Sequence, residues 1–264
     1  MSTVANIKNY SEGGHWYSLD GKPMHEVDKA DGSGTTPTTL RHAKKLNLLP
    51  SVTTYLKILD KPALTAWKVE QAVLAVMTTP RLTNEADDAF IHRVLSKDKQ
   101  QDEERDAAAK FGTAIHAEIE HALAGGKVGA EMEQYVAPVL TELNKFGKLK
   151  ASEVVVVGTG YAGRTDVIME SDDEITVIDF KTTKAKKLPT TSYNEHICQL
   201  AAYGQSFRSS GKKIRGVNIY ISTVNKGEIS VCNNSPEEIE AAYSAFEKIV
   251  GVWQWMNGYK PQQA

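Results

Sequence analysis

The sequence predicts an α/β fold, in which helices flank one mixed sheet of the α+β kind. Two observations carry this prediction. Helix signals fill most of the chain before residue 148, and three apolar, strand-like segments follow between residues 153 and 180. The chain then continues as a helix, a strand and a last helix, an order typical of helices packed on a single sheet.

The N-terminal part combines a hairpin, a loop and helices. Residues 15–27, HWYSLDGKPMHEV, carry a turn signal at Asp20-Gly21 and predict a small hairpin. Residues 28–39 are rich in Gly, Ser and Thr and predict a loop. Helices are predicted at four places, which are a segment capped by Ser51 or Thr53, a segment after Pro62, residues 82–124, and about residues 130–147.

The second half predicts the sheet. Strands are expected over residues 153–157, 163–169, 174–180 and 216–223, with a helix over 194–210 before the last of them. Ser235 and Glu238 form a capping box that opens the final helix. We expect residues 1–100 to form an N-terminal portion and residues 101–264 to form the core, packed as one compact unit.

Composition excludes several classes of protein. The formal net charge of -2 indicates no overall basic field, although a locally basic groove remains compatible with it. The two cysteines are too few for a disulfide framework or a four-thiolate cluster. No apolar run resembles a secretion signal or reaches the roughly 20 residues of a membrane helix, so we expect a cytoplasmic protein without a membrane partner.

Two acids and a lysine stand out in the strands. In ITVIDFKTT, Asp179 and Lys181 share one face of a strand, because side chains alternate. A symmetric turn at Asp172-Asp173 would place Asp166 of the preceding strand opposite Asp179. An odd-length loop would slip this register and separate the acids. The alternative interpretation is a structural cluster at a sheet edge, neutralised by Lys181 and Arg164.

Such a pair of carboxylates predicts a metal site. Two carboxylates at this distance repel each other unless a cation lies between them, and oxygen ligands suit Mg²⁺. We expect Asp166, Asp179 and the backbone carbonyl of Phe180 to bind Mg²⁺ or Mn²⁺. The bound metal would activate water and stabilise charge on a phosphoryl oxygen, while Lys181 positions or activates that water.

Two helices supply further candidates. His116 and Glu120 are four residues apart and share a helix face, where a second candidate ligand stands one turn from the histidine. Gln199 and Tyr203 share a face of a later helix. In one interpretation, that helix is an ordinary amphipathic helix with Tyr203 half-buried. In the other, the amide of Gln199 orients Lys181 or contacts a phosphate, and the ring of Tyr203 stacks on a base.

Two weaker signals lie on either side of the acids. GTGYAG at residues 158–163 matches a dinucleotide-binding fingerprint, but strands rather than a helix are expected after it, so we interpret it as a tight turn. A basic run follows Asp179 and consists of Lys184, Lys186 and Lys187. These lysines are either solvated surface charges or contacts for a nucleic-acid backbone.

The motifs together resemble a known family. PSVTT at residues 50–54 precedes GTAIHAEIE, GRTDVI, VIDFKTT and QLAAY in that order. This series resembles the RecB-type branch of the PD-(D/E)XK nuclease superfamily, and it is similar to the mitochondrial genome maintenance exonuclease and its phage relatives. The resemblance runs from about Pro50 to Tyr203. The loose region 23–49 is longer than this resemblance leads us to expect.

The resemblance implies a restriction-endonuclease-like αβββαβ core and metal-dependent cleavage of DNA. It assigns His116, Asp166 and Asp179 to the metal, Lys181 as the catalytic lysine, and Gln199 and Tyr203 as a helical signature. DNA contact is also expected at Ser51 and Thr53. The CRISPR-associated members of the family carry an iron–sulfur cluster on four cysteines, which this chain lacks, so we expect no iron–sulfur cluster and exclude that subgroup.

The expected activity is that of an exonuclease on single-stranded DNA ends, with residues 1–100 covering the DNA channel. The alternatives are an endonuclease of the same fold, acting on duplexes or particular DNA structures, and a non-catalytic DNA-binding module. A role in phage or bacterial recombination or replication is expected from the resemblance alone.

Overall fold

The computed structural model describes residues 14–96 and 99–262, which fall into two units. One unit joins the chain up to Ile58 with the chain from Glu118 onward, and the other is Leu59–Ala117. This division differs from the boundary expected at residue 100, because the N-terminal segment packs with the sheet.

The first unit begins with short elements. Its first strands and helices are β1 (Trp16–Tyr17), β2 (Glu26–Asp28), β3 (Thr35–Pro37), α1 (Leu40–Leu46), β4 (Leu49–Pro50) and α2 (Val52–Leu56). The second unit contains α3 (Pro62–Thr78), α4 (Asp87–Ser96) and most of α5 (Lys99–Leu123), which runs through the boundary.

The rest of the first unit carries the sheet. Its elements are α6 (Glu133–Leu143), β5 (Lys148–Gly158), β6 (Tyr161–Glu170), β7 (Glu174–Thr183), α7 (Asn194–Gly204), β8 (Lys213–Ser222), β9 (Ile229–Asn234) and α8 (Pro236–Asn257). The five strands lie in sequence order, and β7 pairs with β8 in parallel while the other pairs are antiparallel. The parallel pair follows from the crossover through α7. The predicted mixed sheet is therefore confirmed.

The register of β6 and β7 is the one that a symmetric turn predicts. Ile168 pairs with Val177, and Glu170 pairs with Ile175. The paired stretch ends one step before Asp166 and Asp179, at Val167 and Ile178. The glycine-rich GTGYAG segment forms the turn between β5 and β6, with Gly160 at a φ of 81°, where glycine is favoured.

Helices α7 and α8 pack with the sheet. The capping box at the start of α8 is present, because the N–H of Glu238 donates to Ser235 Oγ and the N–H of Ser235 donates to Glu238 Oε2. An apolar stripe of α8 is buried at Ile239, Tyr243, Phe246 and Trp253. Phe246 and Trp253 meet the ring of Tyr55 edge-on, and Phe246 also meets that of Tyr161.

The N-terminal segment joins this core through β1 and α2. Tyr17 and Leu49 form a buried cluster with Ala162 of β6. Tyr55 donates from its hydroxyl to the carbonyl of Gly160 at 2.8 Å. The predicted turn at Asp20-Gly21 is present, with Gly21 at a φ of 83°. These contacts explain why the segment belongs to the sheet's unit.

The second unit is helical. Helix α3 exposes large apolar side chains along its length, whereas Phe90 and Val94 of α4 are buried. The guanidinium of Arg93 binds Glu85 at 2.7 Å and lies over the ring of Phe90. Among the described residues, no helix has both the length and the apolar character needed to cross a membrane.

Candidate active site on the central sheet

The carboxylate of Asp166 lies where β6 and β7 part. Its Oδ2 accepts a hydrogen bond from the backbone N–H of Phe180 at 2.7 Å. The strand pairing has stopped at Val167 and Ile178, so the side chain of Asp166 takes the place of a strand partner for Phe180. Asp166 is half-buried, which leaves its carboxylate next to both the sheet and solvent.

Asp179 and Lys181 stand next to each other on β7, on one face as expected. Lys181 Nζ lies 2.7 Å from Asp179 Oδ2. Asp179 is only 4 % exposed, and it also accepts from Asn218 Nδ2 of the neighbouring strand at 3.3 Å. A buried carboxylate of this kind is stable when it is paired and hydrogen-bonded. Asn218 enters the site because β8 pairs in parallel with β7, opposite Asp179.

Gln199 of α7 links the acid to the lysine. Its Oε1 accepts from Lys181 Nζ at 3.0 Å, and its Nε2 donates to Asp179 Oδ1 at 3.1 Å. The same Nε2 donates to the hydroxyl of Tyr203 at 3.1 Å, one helical turn on. Gln199 is buried. The amide therefore holds Lys181 and Asp179 in fixed relative positions, one of the two roles expected for an amide here.

Tyr203 lies beneath this network and does not face solvent. It is 3 % exposed, and a Cβ placed on Gly163 would come within 2.5 Å of its ring. Burial raises the pKa of its hydroxyl, and the charge of Asp179 raises that pKa further. Because no ring face is open to a base, the stacking role expected for Tyr203 is replaced by support of Gln199.

Glu153 is a member of the site that the sequence interpretation missed. It lies on β5, where its neighbours Ser152 and Val154 pair with β6 on either side of Asp166. Its carboxylate offers an oxygen within 4.8 Å of an oxygen of Asp166, in a group that could hold a metal ion. Glu153 has a φ of 49°, a left-handed conformation that costs a non-glycine residue energy. Such strained residues cluster at functional sites.

Arg164 belongs to the same edge of the site. Its Nε lies 2.7 Å from Glu153 Oε2, and its side chain is 63 % exposed. Arg164 and Asp166 share a face of β6, being two residues apart. The arginine thus balances the charge of Glu153, whereas it was expected to neutralise the cluster of Asp166 and Asp179.

The two candidates on α5 differ in environment. His116 is half-buried and is the penultimate residue of the second unit. Glu120 is exposed, although Ile115 and Ile119 on the same helix are buried. Their roles as metal ligand and support remain predictions from the sequence.

The expected DNA contacts lie at exposed and buried positions. Lys184, Lys186 and Lys187 are exposed just after β7, and Thr53 is exposed on α2. Ser51 is buried, and its Oγ accepts from the N–H of Thr54 at 3.0 Å as the cap of α2. The buried hydroxyl of Ser51 therefore caps the helix. It is not presented to DNA, although a DNA contact was expected at this residue.

The family profile of the PD-(D/E)XK nuclease superfamily matches residues 78–261, more than half of the chain. The chain belongs to the PD-(D/E)XK nuclease superfamily. Its sheet, its parted strands and its Asp166, Asp179 and Lys181 thus form part of a nuclease fold. The expected superfamily is confirmed, and nucleases of this superfamily use divalent metals.

Two solved structures are similar to this PD-(D/E)XK nuclease. One is a crystal structure of a candidate exonuclease from Eubacterium rectale, with 13 % identity and a TM-score of 0.38, covering 56 % of this chain and 68 % of that one. The other, a crystal structure named SSO0001, has 15 % identity and a TM-score of 0.31, covering 70 % and 86 %. No curated protein matches the chain.

The donors of the candidate active site fit a hard divalent cation. Asp166 and Glu153 offer carboxylate oxygens, the ligand type that Mg²⁺ and Mn²⁺ prefer. Beside Asp179, the Oδ1 atom of Asn218 is buried without a hydrogen-bond partner among the described residues. A buried oxygen of this kind requires an explanation, and a bound water or cation next to Asp179 would provide one.

Proposed function

We propose that the chain is a divalent-metal-dependent DNA exonuclease that hydrolyses phosphodiester bonds at single-stranded ends. The proposal rests on two neighbouring groups of side chains. Asp166 and Glu153 bring carboxylate oxygens close together, and Asp179 contacts both Lys181 and Gln199. Membership of the superfamily supports hydrolysis of nucleic acid. The preference for single-stranded ends is supported by the resemblance of the sequence motifs to the mitochondrial genome maintenance exonuclease.

The metal ligands in this proposal are oxygen atoms and one imidazole. Asp166 and Asp179 supply carboxylates, Glu153 supplies a third, and Phe180 supplies its backbone carbonyl. His116 is the proposed nitrogen ligand, on the basis of its sequence motif. A bound Mg²⁺ or Mn²⁺ would polarise the phosphate and lower the pKa of the attacking water.

Lys181 is the proposed catalytic lysine. Its ammonium group has three protons, and the contacts to Asp179 and Gln199 use two directions. We propose that the third N–H makes a hydrogen bond to the attacking water, which it orients, or to a non-bridging phosphate oxygen. The fixed positive charge there stabilises the negative charge that develops on the phosphate. Gln199 prevents Lys181 from turning away, and Tyr203 in turn holds Gln199.

The DNA strand would pass over exposed cations beyond the site. Lys184, Lys186 and Lys187 follow β7 directly and are exposed, so each can neutralise a backbone phosphate. Thr53 is the proposed neutral contact from α2. These contacts carry no base preference, because phosphates are the same at every step of the strand.

A cleavage assay on labelled linear and circular DNA tests the proposal. We expect linear single strands labelled at the 5′ or 3′ end to be degraded in Mg²⁺ or Mn²⁺, and circular single strands of the same sequence to survive. The label released first gives the polarity. Cleavage of the circle would show an endonuclease, and metal binding without any cleavage would show a binding module.

A further inference from the structure

Tyr193, at the start of α7, presents an aromatic side chain to solvent. It is 54 % exposed, whereas Tyr203 of the same helix, which was expected to stack on a base, is 3 % exposed. In the part of the chain that the structure describes, the other aromatic residues more than half exposed are Trp67 and Trp255. A single exposed ring is common on protein surfaces, so the surroundings of Tyr193 decide whether it has a role.

Tyr193 is attached to the strand that neighbours Lys181. Its backbone N–H donates to the hydroxyl of Tyr220 at 3.4 Å, and the two ring centroids lie 6.1 Å apart with the planes inclined by 89°. Tyr220 of β8 is the register partner of Lys181 of β7. Because paired strands lie about 4.8 Å apart, Tyr193 is held one strand spacing and one ring contact away from the proposed catalytic lysine.

His196 completes the support of the exposed ring. Its Nδ1 lies 2.9 Å from the hydroxyl of Tyr220, and its ring meets that of Tyr193 at 5.4 Å with the planes inclined by 83°. Gln199, which accepts from Lys181, follows His196 by one helical turn. The same helix therefore fixes both the lysine and the surroundings of the Tyr193 ring.

The segment that leads into Tyr193 is anchored to β9. Ser230 Oγ donates to the carbonyl of Pro189 at 2.6 Å, and Asn234 Nδ2 donates to Ser192 Oγ at 3.0 Å. The exposed lysines that follow β7 come earlier in the same loop. Because these contacts hold the ring in place beforehand, little conformational freedom is lost when a ligand meets it.

We propose that Tyr193 stacks on a base of the nucleotide strand beside the scissile phosphate and so forms a stacking subsite for single strands. The inference rests on the proposed action on DNA and names how that site selects its substrate. An aromatic ring stacks on every kind of base, so the subsite has no sequence preference. The bases of a duplex are already stacked and paired. Tyr193 therefore favours a single strand over a duplex.

Fluorescence anisotropy measures the contribution of the ring, with a linear single-stranded oligonucleotide and a blunt duplex of the same sequence, in EDTA to prevent cleavage. Tyr193→Leu removes the ring but keeps an apolar side chain, so it should bind the single strand about 10-fold more weakly than wild type. Its affinity for the duplex should hardly change. Tyr193→Phe keeps the ring and should bind like wild type. The matched control is Trp255→Leu, which changes an exposed aromatic residue of α8 and should also bind like wild type.

Abasic oligonucleotides distinguish stacking from a structural role. An abasic residue at the position that meets Tyr193 should weaken binding by wild type, and the same residue should have no effect on binding by Tyr193→Leu. Salt provides a second readout. Stacking releases no counterions, so the affinity of Tyr193→Leu should be lower by the same factor between about 50 and 200 mM salt, whereas loss of a phosphate contact would reduce the salt dependence.

Wild-type affinity of Tyr193→Leu for the single strand would overturn the stacking subsite. So would an equal loss of affinity for the duplex and for every abasic oligonucleotide, which would indicate a structural role. Wild type that binds single strands through Tyr193 but cleaves no DNA in Mg²⁺ or Mn²⁺ would contradict the exonuclease proposal and still support the subsite. Degradation of linear strands at the same rate and affinity by wild type and Tyr193→Leu would support the exonuclease and contradict the subsite.

Discussion

Asp166 on β6 holds the backbone N–H of Phe180 on β7 at 2.7 Å, at the point where the two strands separate. The bond has a structural and a chemical consequence. It satisfies a backbone donor that has lost its strand partner, and it fixes the direction of a carboxylate close to that of Glu153.

Two substitutions of Asp166 separate these consequences. Asp166→Asn keeps an oxygen that accepts from Phe180, so the midpoint of unfolding should hardly change while affinity for Mn²⁺ falls at least about 10-fold. Asp166→Ala removes the acceptor and should also cost about 1–3 kcal/mol of unfolding free energy. Calorimetric titration with Mn²⁺ and urea unfolding measure the two effects. Unchanged Mn²⁺ affinity in Asp166→Asn would exclude this carboxylate as a ligand.

Lys181→Met should abolish catalysis without unfolding the protein. The substitution keeps a chain of similar length but removes the charge held by Asp179 and Gln199, so we expect a fall in cleavage rate of at least about 100-fold. DNA binding in EDTA should survive. Lys248→Met, at an exposed lysine of α8 outside the site, is the control and should keep most of the rate. Loss of folding in Lys181→Met would indicate a structural ion pair instead.

Replacing Glu153 by glycine should raise the stability of the protein and lower its cleavage activity. Glu153→Gly relieves the left-handed backbone and should raise the unfolding free energy by about 1 kcal/mol, while cleavage falls with the carboxylate. Glu153→Gln keeps the strained backbone, so it should lose cleavage without gaining stability. Urea unfolding and a cleavage assay on both variants test this. Equal stability of the two variants would show that the conformation at residue 153 carries no cost.

Gly163 should tolerate no side chain, because it leaves room for the ring of Tyr203. A Cβ at Gly163 would lie 2.5 Å from that ring, so Gly163→Ala should cost about 1–3 kcal/mol of unfolding free energy and reduce cleavage by displacing Tyr203. Gly251→Ala is the control, since nothing lies within 4 Å of a Cβ there. This change in the exposed interior of α8 should stabilise the protein slightly. A stable, active Gly163→Ala would contradict the positioning role of Tyr203.

The part of the site that the sequence predicts is the part set by local rules. Strand alternation places Asp179 beside Lys181, and a symmetric turn sets the register that runs from Glu170 back toward Asp166. Helical spacing places Gln199 and Tyr203 one turn apart, and the amide does contact Lys181.

The features that the sequence did not reveal depend on long-range pairing. Glu153 comes opposite Asp166 only through the β5–β6 register, although the tight turn at Gly158–Gly163 was a usable signal. Asn218 reaches Asp179 through a parallel pair formed across a crossover helix, which no local pattern fixes. The attachment of the N-terminal segment likewise rests on the Tyr17 cluster with β6.

Cleavage of end-labelled linear single-stranded DNA by wild type and Asp179→Asn, in Mg²⁺, Mn²⁺ and EDTA, most directly tests a metal-dependent nuclease site at Asp179. The asparagine keeps the shape of a side chain that is 4 % exposed but removes the charge that faces Lys181. We expect metal-dependent degradation by wild type and none by a folded Asp179→Asn. Degradation at an undiminished rate by the variant, or by wild type in EDTA, would contradict a metal-dependent nuclease site at Asp179.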